Sequence, residues 1–291
     1  MEAALALCRF AHFLAAMIAF GTSAYLWLLA PDALRRALSF DLRPIVLVAG
    51  LVVLLSAILW LALESAAMAD DWSGAWTPDM IEGVLFDTAF GRLWQARLAL
   101  CAVLAGALAL RAGEHWASRT VLAALTLASL GLTGHAAMQT GGLGALHRGN
   151  DALHLLCGGA WIGGLPAFAF CLHKFARPEL RAEALSAMMR YSRYGHFFVP
   201  LVVLSGMTNV ALTTGVLPFP ASSPYRALLL AKIALVASLV ALALVNRYVI
   251  VARCAPAATM LRALRTTTVA EIALGTAVIG LVSLFGLWDA A

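Results

Sequence analysis

The chain has 291 residues, of which 63% are hydrophobic and only 12% are charged, and it carries a net charge of +5. Soluble domains are about half apolar and about a quarter charged, so the composition excludes a soluble globular protein and indicates a polytopic membrane protein. The positive charge does not indicate nucleic-acid binding, because in a membrane protein the distribution of Lys and Arg among the loops matters more than their total.

Eight apolar runs are each long enough to cross a bilayer, since a spanning helix needs about 20 residues. They lie at about residues 7–29, 44–66, 93–112, 119–136, 151–172, 194–214, 226–250 and 268–288. The sequence therefore predicts an all-α fold of eight transmembrane helices. No cleavage pattern follows the first run, so we interpret it as a retained helix rather than as a signal peptide.

The loops between these runs differ in charge. Most of the 20 Lys and Arg residues fall in the first, third, fifth and seventh loops or at the helix ends that border them. Loops rich in Lys and Arg stay in the cytoplasm, so the odd loops are predicted to be cytoplasmic and both termini to be external.

A faint internal repeat relates the two halves of the chain. HFLAAMIAFG at 12–21 matches HLLCGGAWIG at 154–163, because in both a His stands nine residues before a Gly. The starts of the third and seventh runs align Arg97 with Lys232. This pattern predicts two related four-helix halves with the same topology, as in transporters built from repeats. The predicted halves are residues 1–136 and 137–291.

The Gly-rich junction between the fourth and fifth runs concentrates side chains that bind metals. Asp151, His154 and Cys157 follow one another at three-residue intervals, so a helix places them along one face. His135 and Met138 repeat this spacing at the end of the preceding run. Imidazole, thioether and thiolate are ligands that suit copper. The alternative is that each is a polar residue at a helix end that serves packing.

A further candidate ligand, His12, stands four residues after Cys8 on one face of the first helix. Cys8 with His12 is interpreted as the mirror of His154 with Cys157 across the repeat. With these faces turned inward, we expect His12, His135 and His154 to converge near the external surface. The predicted metal ligands are His135, His154, His12, Met138, Cys157 and Asp151.

Charged residues inside a bilayer are costly and are functional candidates by default. Arg97 and Lys232 are predicted to lie in the outer leaflet. Each is either a fixed positive charge that faces the bundle or a side chain that reaches back to the headgroups. Glu64 is the expected partner of these cations, and Glu271 is expected to pair with a nearby Arg.

The glycines around Trp161 predict close packing, since small residues let spanning helices approach one another. These are Gly158, Gly159, Gly163 and Gly164.

The second half of the chain resembles the CopD copper-resistance family of bacterial inner-membrane proteins. The stretches that carry the resemblance are GHAAM, DALHLLCGGAWIGGL, RYSRYGHFFVPLVVLSGMTN, YRALLLAKIALVASLVALALVNR and AEIALG. Asp151, His154, Trp161, Gly163 and Gly164 match the most specific motif of that family, and His135 matches its GHA element. One departure is Arg226-Ala227, where the family more often has Gly-Arg.

The resemblance implies eight spans in the inner membrane and a role in copper handling, and the termini that the charge pattern places outside would then be periplasmic. It also implies a periplasmic copper-binding partner of the CopC type, from which copper is received and moved inward. On this hypothesis His154 and His135 are primary ligands and Asp151 orients the His154 imidazole. His12, Met138 and Cys157 would assist these ligands in binding copper.

A second resemblance keeps a different function open. A His in the outer leaflet with a Lys two helices later also resembles the membrane protoporphyrinogen oxidase family, which binds haem. His154 with Lys232, and His12, would then bind haem b in a membrane redox enzyme that uses quinol electrons to reduce copper. Otherwise no paired nucleophile and base or phosphate-binding loop is present, so a transporter is favoured over an enzyme.

Overall fold

A computed structural model describes residues 1–110, 115–133, 140–214, 224–252 and 257–285. The described residues are helical apart from short connections and contain no strand, so the predicted all-α class is confirmed. The helices of the first half are α1 (Glu2–Ala24), α2 (Asp32–Ala69), α3 (Pro78–Asp87), α4 (Ala89–Ala109) and α5 (Trp116–Ala128). A π-helical turn, Tyr25–Leu29, extends α1, and a 3-10 turn, Ser129–Leu132, extends α5.

The second half contains five more helices in its described part. They are α6 (Gly141–Trp161), α7 (Leu165–Lys174), α8 (Arg181–Thr214), α9 (Pro224–Val245) and α10 (Ala257–Phe285). A 3-10 turn, Ile162–Gly164, joins α6 to α7, and a π-helical turn, Asn246–Ile250, ends α9. Pro166 lies in the first turn of α7, where a missing N–H breaks no helical hydrogen bond.

Seven helical stretches among the described residues are long and apolar enough to cross a membrane. They are Glu2–Leu29, Asp32–Ala69, Ala89–Ala109, Gly141–Lys174, Pro178–Thr213, Pro224–Ile250 and Ala258–Phe285. The span predicted at 119–136 corresponds to a shorter apolar helix, Trp116–Leu132. A membrane protein with several spans is thus established, whereas the count of eight stays a prediction.

Several helices are longer than the apolar runs that predicted them. The second span was predicted at 44–66, but α2 begins at Asp32. The sixth was predicted at 194–214, but α8 begins at Arg181. The physical reason is that an apolar run marks the segment that lies in hydrocarbon, whereas polar turns continue the same helix beyond it.

The first helix is central to the packing. Among the described elements α1 packs against α2, α5, α6 and α10. The larger apolar core is formed by buried side chains of α1, α2, α4, α5 and α7. A smaller cluster joins Trp161 of α6 to Leu239 of α9 and Val278 of α10.

Close helix packing at the predicted glycines is confirmed at three of the four. A Cβ on Gly163 would overlap the carbonyl oxygen of Met17, and one on Gly159 would lie 2.6 Å from Leu127 Cδ2. A Cβ on Gly164 would lie 2.9 Å from Tyr191 Cε2. Gly158 has only an ordinary contact, since its Cβ would stand 3.9 Å from the Met17 methyl carbon.

The crossing of α1 with the turn after α6 brings two glycines of the predicted repeat together. A Cβ on Gly21 would overlap the backbone of Gly163, and Thr22 Oγ1 donates a hydrogen bond to the Gly163 carbonyl at 3.3 Å. Each of these glycines stands nine residues after a His of the repeat.

Replacing Gly163 with Ala is expected to lower the free energy of unfolding by about 1–3 kcal/mol, the usual cost of forcing extra atoms into a packed interior. Thermal unfolding of the purified protein in detergent measures the change. Gly106→Ala is the matched control, because a Cβ there meets nothing within 4 Å. Equal unfolding temperatures for the two variants would contradict the close crossing.

Candidate functional site

A buried polar cluster surrounds His12 in the first half. The ring has 0% exposure. Its Nδ1 lies 2.8 Å from Ser56 Oγ on α2, and its Nε2 lies 2.9 Å from Arg97 Nη2 on α4. The Ser56 hydroxyl donates to the carbonyl of Val52, so Nδ1–H must donate to Ser56 Oγ. The unprotonated Nε2 then accepts from the Arg97 guanidinium, and both ring nitrogens are occupied.

Arg97 faces the interior of the bundle. It is 1% exposed and also donates to Ser129 Oγ and to the Thr126 carbonyl, while its guanidinium lies 5.0 Å from the Trp94 ring. The alternative prediction, that the Arg97 side chain extends to the lipid headgroups, is therefore wrong. A fixed charge beside His12 is what the geometry shows.

The expected pairing of Arg97 with Glu64 is wrong. Glu64 accepts instead from Arg9, with 3.3 Å between Nη2 and Oε1, and from Trp60 Nε1 at 2.9 Å. Glu64 and Arg9 both keep part of their side chains exposed. The two Nη groups of Arg97 donate instead to neutral acceptors of α1, of α5 and of the turn that extends α5, and its Nε has no hydrogen-bond partner in the described structure.

The second half contains a corresponding cluster around His154 on α6. Its Nδ1 lies 3.0 Å from Ser205 Oγ and 3.1 Å from the Val202 carbonyl, both on α8. The Ser205 hydroxyl donates to the carbonyl of Leu201, so Nδ1 of His154 carries the proton. Within the described ranges Nε2 of His154 has no hydrogen-bond partner. A ring held at Nδ1 with a lone pair on Nε2 is the usual state of a metal-binding histidine.

A further contact corresponds between the two clusters. Four residues before His12, the Cys8 thiol donates to the Ser56 carbonyl at 3.2 Å. Four residues before His154, Asn150 Nδ2 donates to the Ser205 carbonyl at 2.9 Å. The counterpart of Cys8 is therefore Asn150, and the mirror relation expected between Cys8 and Cys157 is wrong.

Sequence reasoning missed the two serines. Both stand in apolar runs, VVLLSA at 52–57 and LVVLSG at 201–206. The similarity of these two stretches was the available signal, since it extends the repeat to a second helix of each half. Gly206 lets the imidazole approach, because a Cβ there would lie 3.2 Å from His154 Cε1.

Asp151 belongs to the same polar group but does not contact the His154 ring in the role expected of it. Its Oδ1 accepts from Asn209 Nδ2 at 2.8 Å, and Asn209 Oδ1 accepts from Asn150 Nδ2 at 2.6 Å. The orienting role is taken by Ser205. Lys232 on α9 lies within electrostatic reach of both Asp151 and His154, which gives the site one cation and one carboxyl.

The remaining predicted ligands are only partly described. Cys157 is buried one turn after His154 on α6. His135 and Met138 lie outside the described residues. Within the described ranges no three His, Cys, Asp or Glu side chains meet as a metal-binding group. His12 and His154 contact different helices, and their predicted convergence with His135 stays untested.

Comparison with known proteins identifies the family. Residues 1–145 match the family described as copper resistance protein D-like, N-terminal domain, and residues 185–285 match copper resistance protein D. The chain is 35% identical over 247 residues to inner membrane protein YebZ of Escherichia coli (strain K12), covering 84% of this chain and 83% of that protein. The chain belongs to the copper resistance protein D family.

Two further relatives agree with this assignment. Copper resistance protein D of Pseudomonas syringae pv. tomato is 32% identical over 251 residues, which are 83% of this chain and 80% of that protein. Copper transport protein CutJ of Bacillus subtilis (strain 168) is 29% identical over 164 residues, 53% of this chain and 30% of that protein. No solved structure matches.

The family and the helical spans establish a multi-pass protein of the inner membrane. They also support a role in copper handling in general terms. The haem-binding alternative gains no support, because the matched families and the named relatives refer to copper or to the membrane alone.

Proposed function

We propose that this member of the copper resistance protein D family binds copper through His154 and carries it across the inner membrane. The observation that carries the proposal is the contrast between the two imidazoles. His12 has both nitrogens engaged, whereas His154 is fixed at Nδ1 by Ser205 and Val202 and keeps Nε2 for a ligand. An imidazole oriented by its other nitrogen is the standard form of a protein metal ligand.

Cys157 and Asp151 are the nearest further donors on α6, and His135 and Met138 stay predicted ligands from the preceding segment. Lys232 lies beside this donor set as a fixed cation. A positive charge next to a metal site weakens cation binding, and a transport site must release its ion as well as bind it. The arrangement therefore suits transient binding during passage better than storage.

The meeting of Gly21 with Gly163 supports the two-half architecture. Residues on a two-fold axis contact their own equivalents, and these two glycines occupy equivalent positions of the repeat. We therefore propose eight spans in two halves, residues 1–136 and 137–291, with both termini periplasmic. The histidine clusters then lie towards the periplasm, where a copper-binding partner of the CopC type would deliver the ion.

Cellular copper content tests this function. Cells that express the chain are expected to accumulate more copper than cells carrying the empty vector, and His154→Ala is expected to remove the difference. His173→Ala is the control, because His173 lies in the last turn of α7, on the predicted cytoplasmic side. Equal copper content with and without the wild-type chain would contradict the proposed transport.

Replacing Ser205 with Ala is expected to weaken copper binding by about 10–100-fold, the usual effect of losing a group that orients a metal ligand. Ser56→Ala is the matched control, since Ser56 holds His12 in the same way in the other half. Titration of both purified variants with Cu(I) measures the difference. An unchanged affinity in Ser205→Ala would show that the hydroxyl does not position His154.

A further inference from the structure

Glu271 is a buried carboxyl at the middle of α10. None of its contacts in the described structure involves the His12 or His154 cluster. It is 4% exposed, and its side chain accepts one hydrogen bond, from Asn246 Nδ2 at 3.2 Å. The pairing with an Arg that the sequence predicted is wrong, since no ion pair among the described residues includes Glu271. Asn246 begins the π-helical turn that ends α9, and such turns are frequent at functional sites.

Two polar atoms beside this pair are buried without a partner. Asn246 Oδ1 has no hydrogen bond in the described structure, and neither has Thr268 Oγ1, one turn before Glu271 on the same helical face. Thr268 is 1% exposed. An ionised Glu271 contributes only acceptors, so the group contains more acceptors than donors. Orphaned buried polar atoms are rare and call for an explanation.

The surrounding titratable groups leave Glu271 without a cation. Those on the elements packed against α10 are Glu2, Cys8, Arg9, His12, Cys171, His173, Lys174, Tyr225, Arg226, Lys232, Arg247 and Tyr248. Arg247 donates to Ser192 Oγ, and Lys174 pairs with Asp41 at 2.5 Å. Tyr191 lies within electrostatic reach of Glu271, and its hydroxyl donates to the Trp161 carbonyl. A buried carboxylate with one neutral partner is costly, whereas the neutral acid is not.

We propose that Glu271, with Asn246 and Thr268, forms a proton-binding site within the membrane-spanning part of the protein. Binding converts the carboxylate to a carboxylic acid, and no oxidation or reduction is involved. The new O–H donates to Asn246 Oδ1 after rotation of the amide, which satisfies the orphaned acceptor. Release of the proton restores the bond that Asn246 Nδ2 donates. The site does not depend on the copper function, because none of its contacts involves the His154 cluster.

Infrared spectroscopy of the full-length protein in lipid tests this site. The wild type is expected to show the carbonyl stretch of a protonated carboxyl at neutral pH, shifted in D2O and lost as the pH rises. Glu271→Gln should remove this band, whereas Glu64→Gln should retain it, since Glu64 is paired with Arg9. Glu271→Asp is the conservative variant and should keep a band at the aspartic-acid position. A wild type without the band at pH values that ionise exposed carboxyls would overturn the proposal.

Two further measurements test whether the site binds a proton rather than a metal cation, and whether Asn246 belongs to it. Adding Na⁺ at fixed pH should leave the band unchanged, and its loss would show a metal-cation site instead. Asn246→Leu removes both the donor to the carboxylate and the acceptor for the O–H of the acid, so the frequency of the protonated-carboxyl band should shift from its wild-type value. An unshifted band would show that Asn246 does not share the site.

Discussion

Replacing His154 with Ala is expected to lower the affinity of the purified protein for Cu(I) by at least about 100-fold. Loss of a group that only orients a ligand already costs about 10–100-fold, and the ligand itself should cost more. The ring is half-buried between α6 and α8, and its Nδ1 is held by Ser205 and Val202. Competition against a chromophoric Cu(I) chelator, with the protein reduced in detergent, measures the affinity.

The control for this variant is His196→Ala. His196 is exposed on α8, and its two nitrogens contact the Ser192 carbonyl and the Tyr248 hydroxyl. Its replacement should leave Cu(I) affinity unchanged. An unchanged affinity in His154→Ala, with the same unfolding temperature as the wild type, would exclude His154 as a ligand.

Replacing His12 with Ala is expected to act on stability rather than on copper. The change leaves the buried Arg97 guanidinium without the acceptor that Nε2 supplies. Removing one partner of a buried charge costs about 3–5 kcal/mol. The unfolding temperature in detergent should fall well below that of the wild type, while the folded fraction binds Cu(I) with unchanged affinity.

A double variant checks the cause of this loss. In His12→Leu/Arg97→Met the buried charge and its acceptor are removed together, and replacing such a group with apolar side chains is often close to neutral. The double variant should therefore be more stable than His12→Ala. If His12→Ala kept its unfolding temperature and lost copper instead, His12 would be a ligand and the structural assignment would fail.

The architecture was largely accessible from the sequence, because hydropathy and glycine spacing are local signals. The helical class and most of the spans followed from apolar runs, and the close packing of Gly163 followed from its small side chain. Helix ends were less accessible from the sequence. The helices α2 and α8 begin in polar turns before their apolar runs, and the length of an apolar run does not reveal such turns.

The partners of the polar side chains were not accessible in the same way. Arg97, Glu64 and Arg9 carry complementary charges, but the choice among pairings depends on how each helix is rotated about its axis. Ser56 and Ser205 gave no signal as single residues, since a serine in a spanning helix commonly donates to its own preceding turn, as both do here. Their contact with an imidazole depends on packing between helices that are distant in sequence.

Fold and predicted repeat also leave open which of the two histidines belongs to the proposed copper site. The sequence treats His12 and His154 as equivalents, and only the hydrogen bonds distinguish them. Arg97 reaches Nε2 of His12 directly, whereas Lys232 stands near His154 without a hydrogen bond to it in the described structure. At this position of the predicted repeat, the arginine occupies Nε2 of His12, whereas the lysine leaves Nε2 of His154 available to a ligand.

X-ray absorption at the copper edge tests the central claim most directly. The Cu(I)-loaded wild type is expected to show the multiple-scattering pattern of a coordinated imidazole, and His154→Ala, loaded with excess Cu(I), is expected to lose it. His12→Ala should keep it. The same imidazole pattern in His154→Ala and in the wild type would contradict the assignment of His154 as the copper ligand.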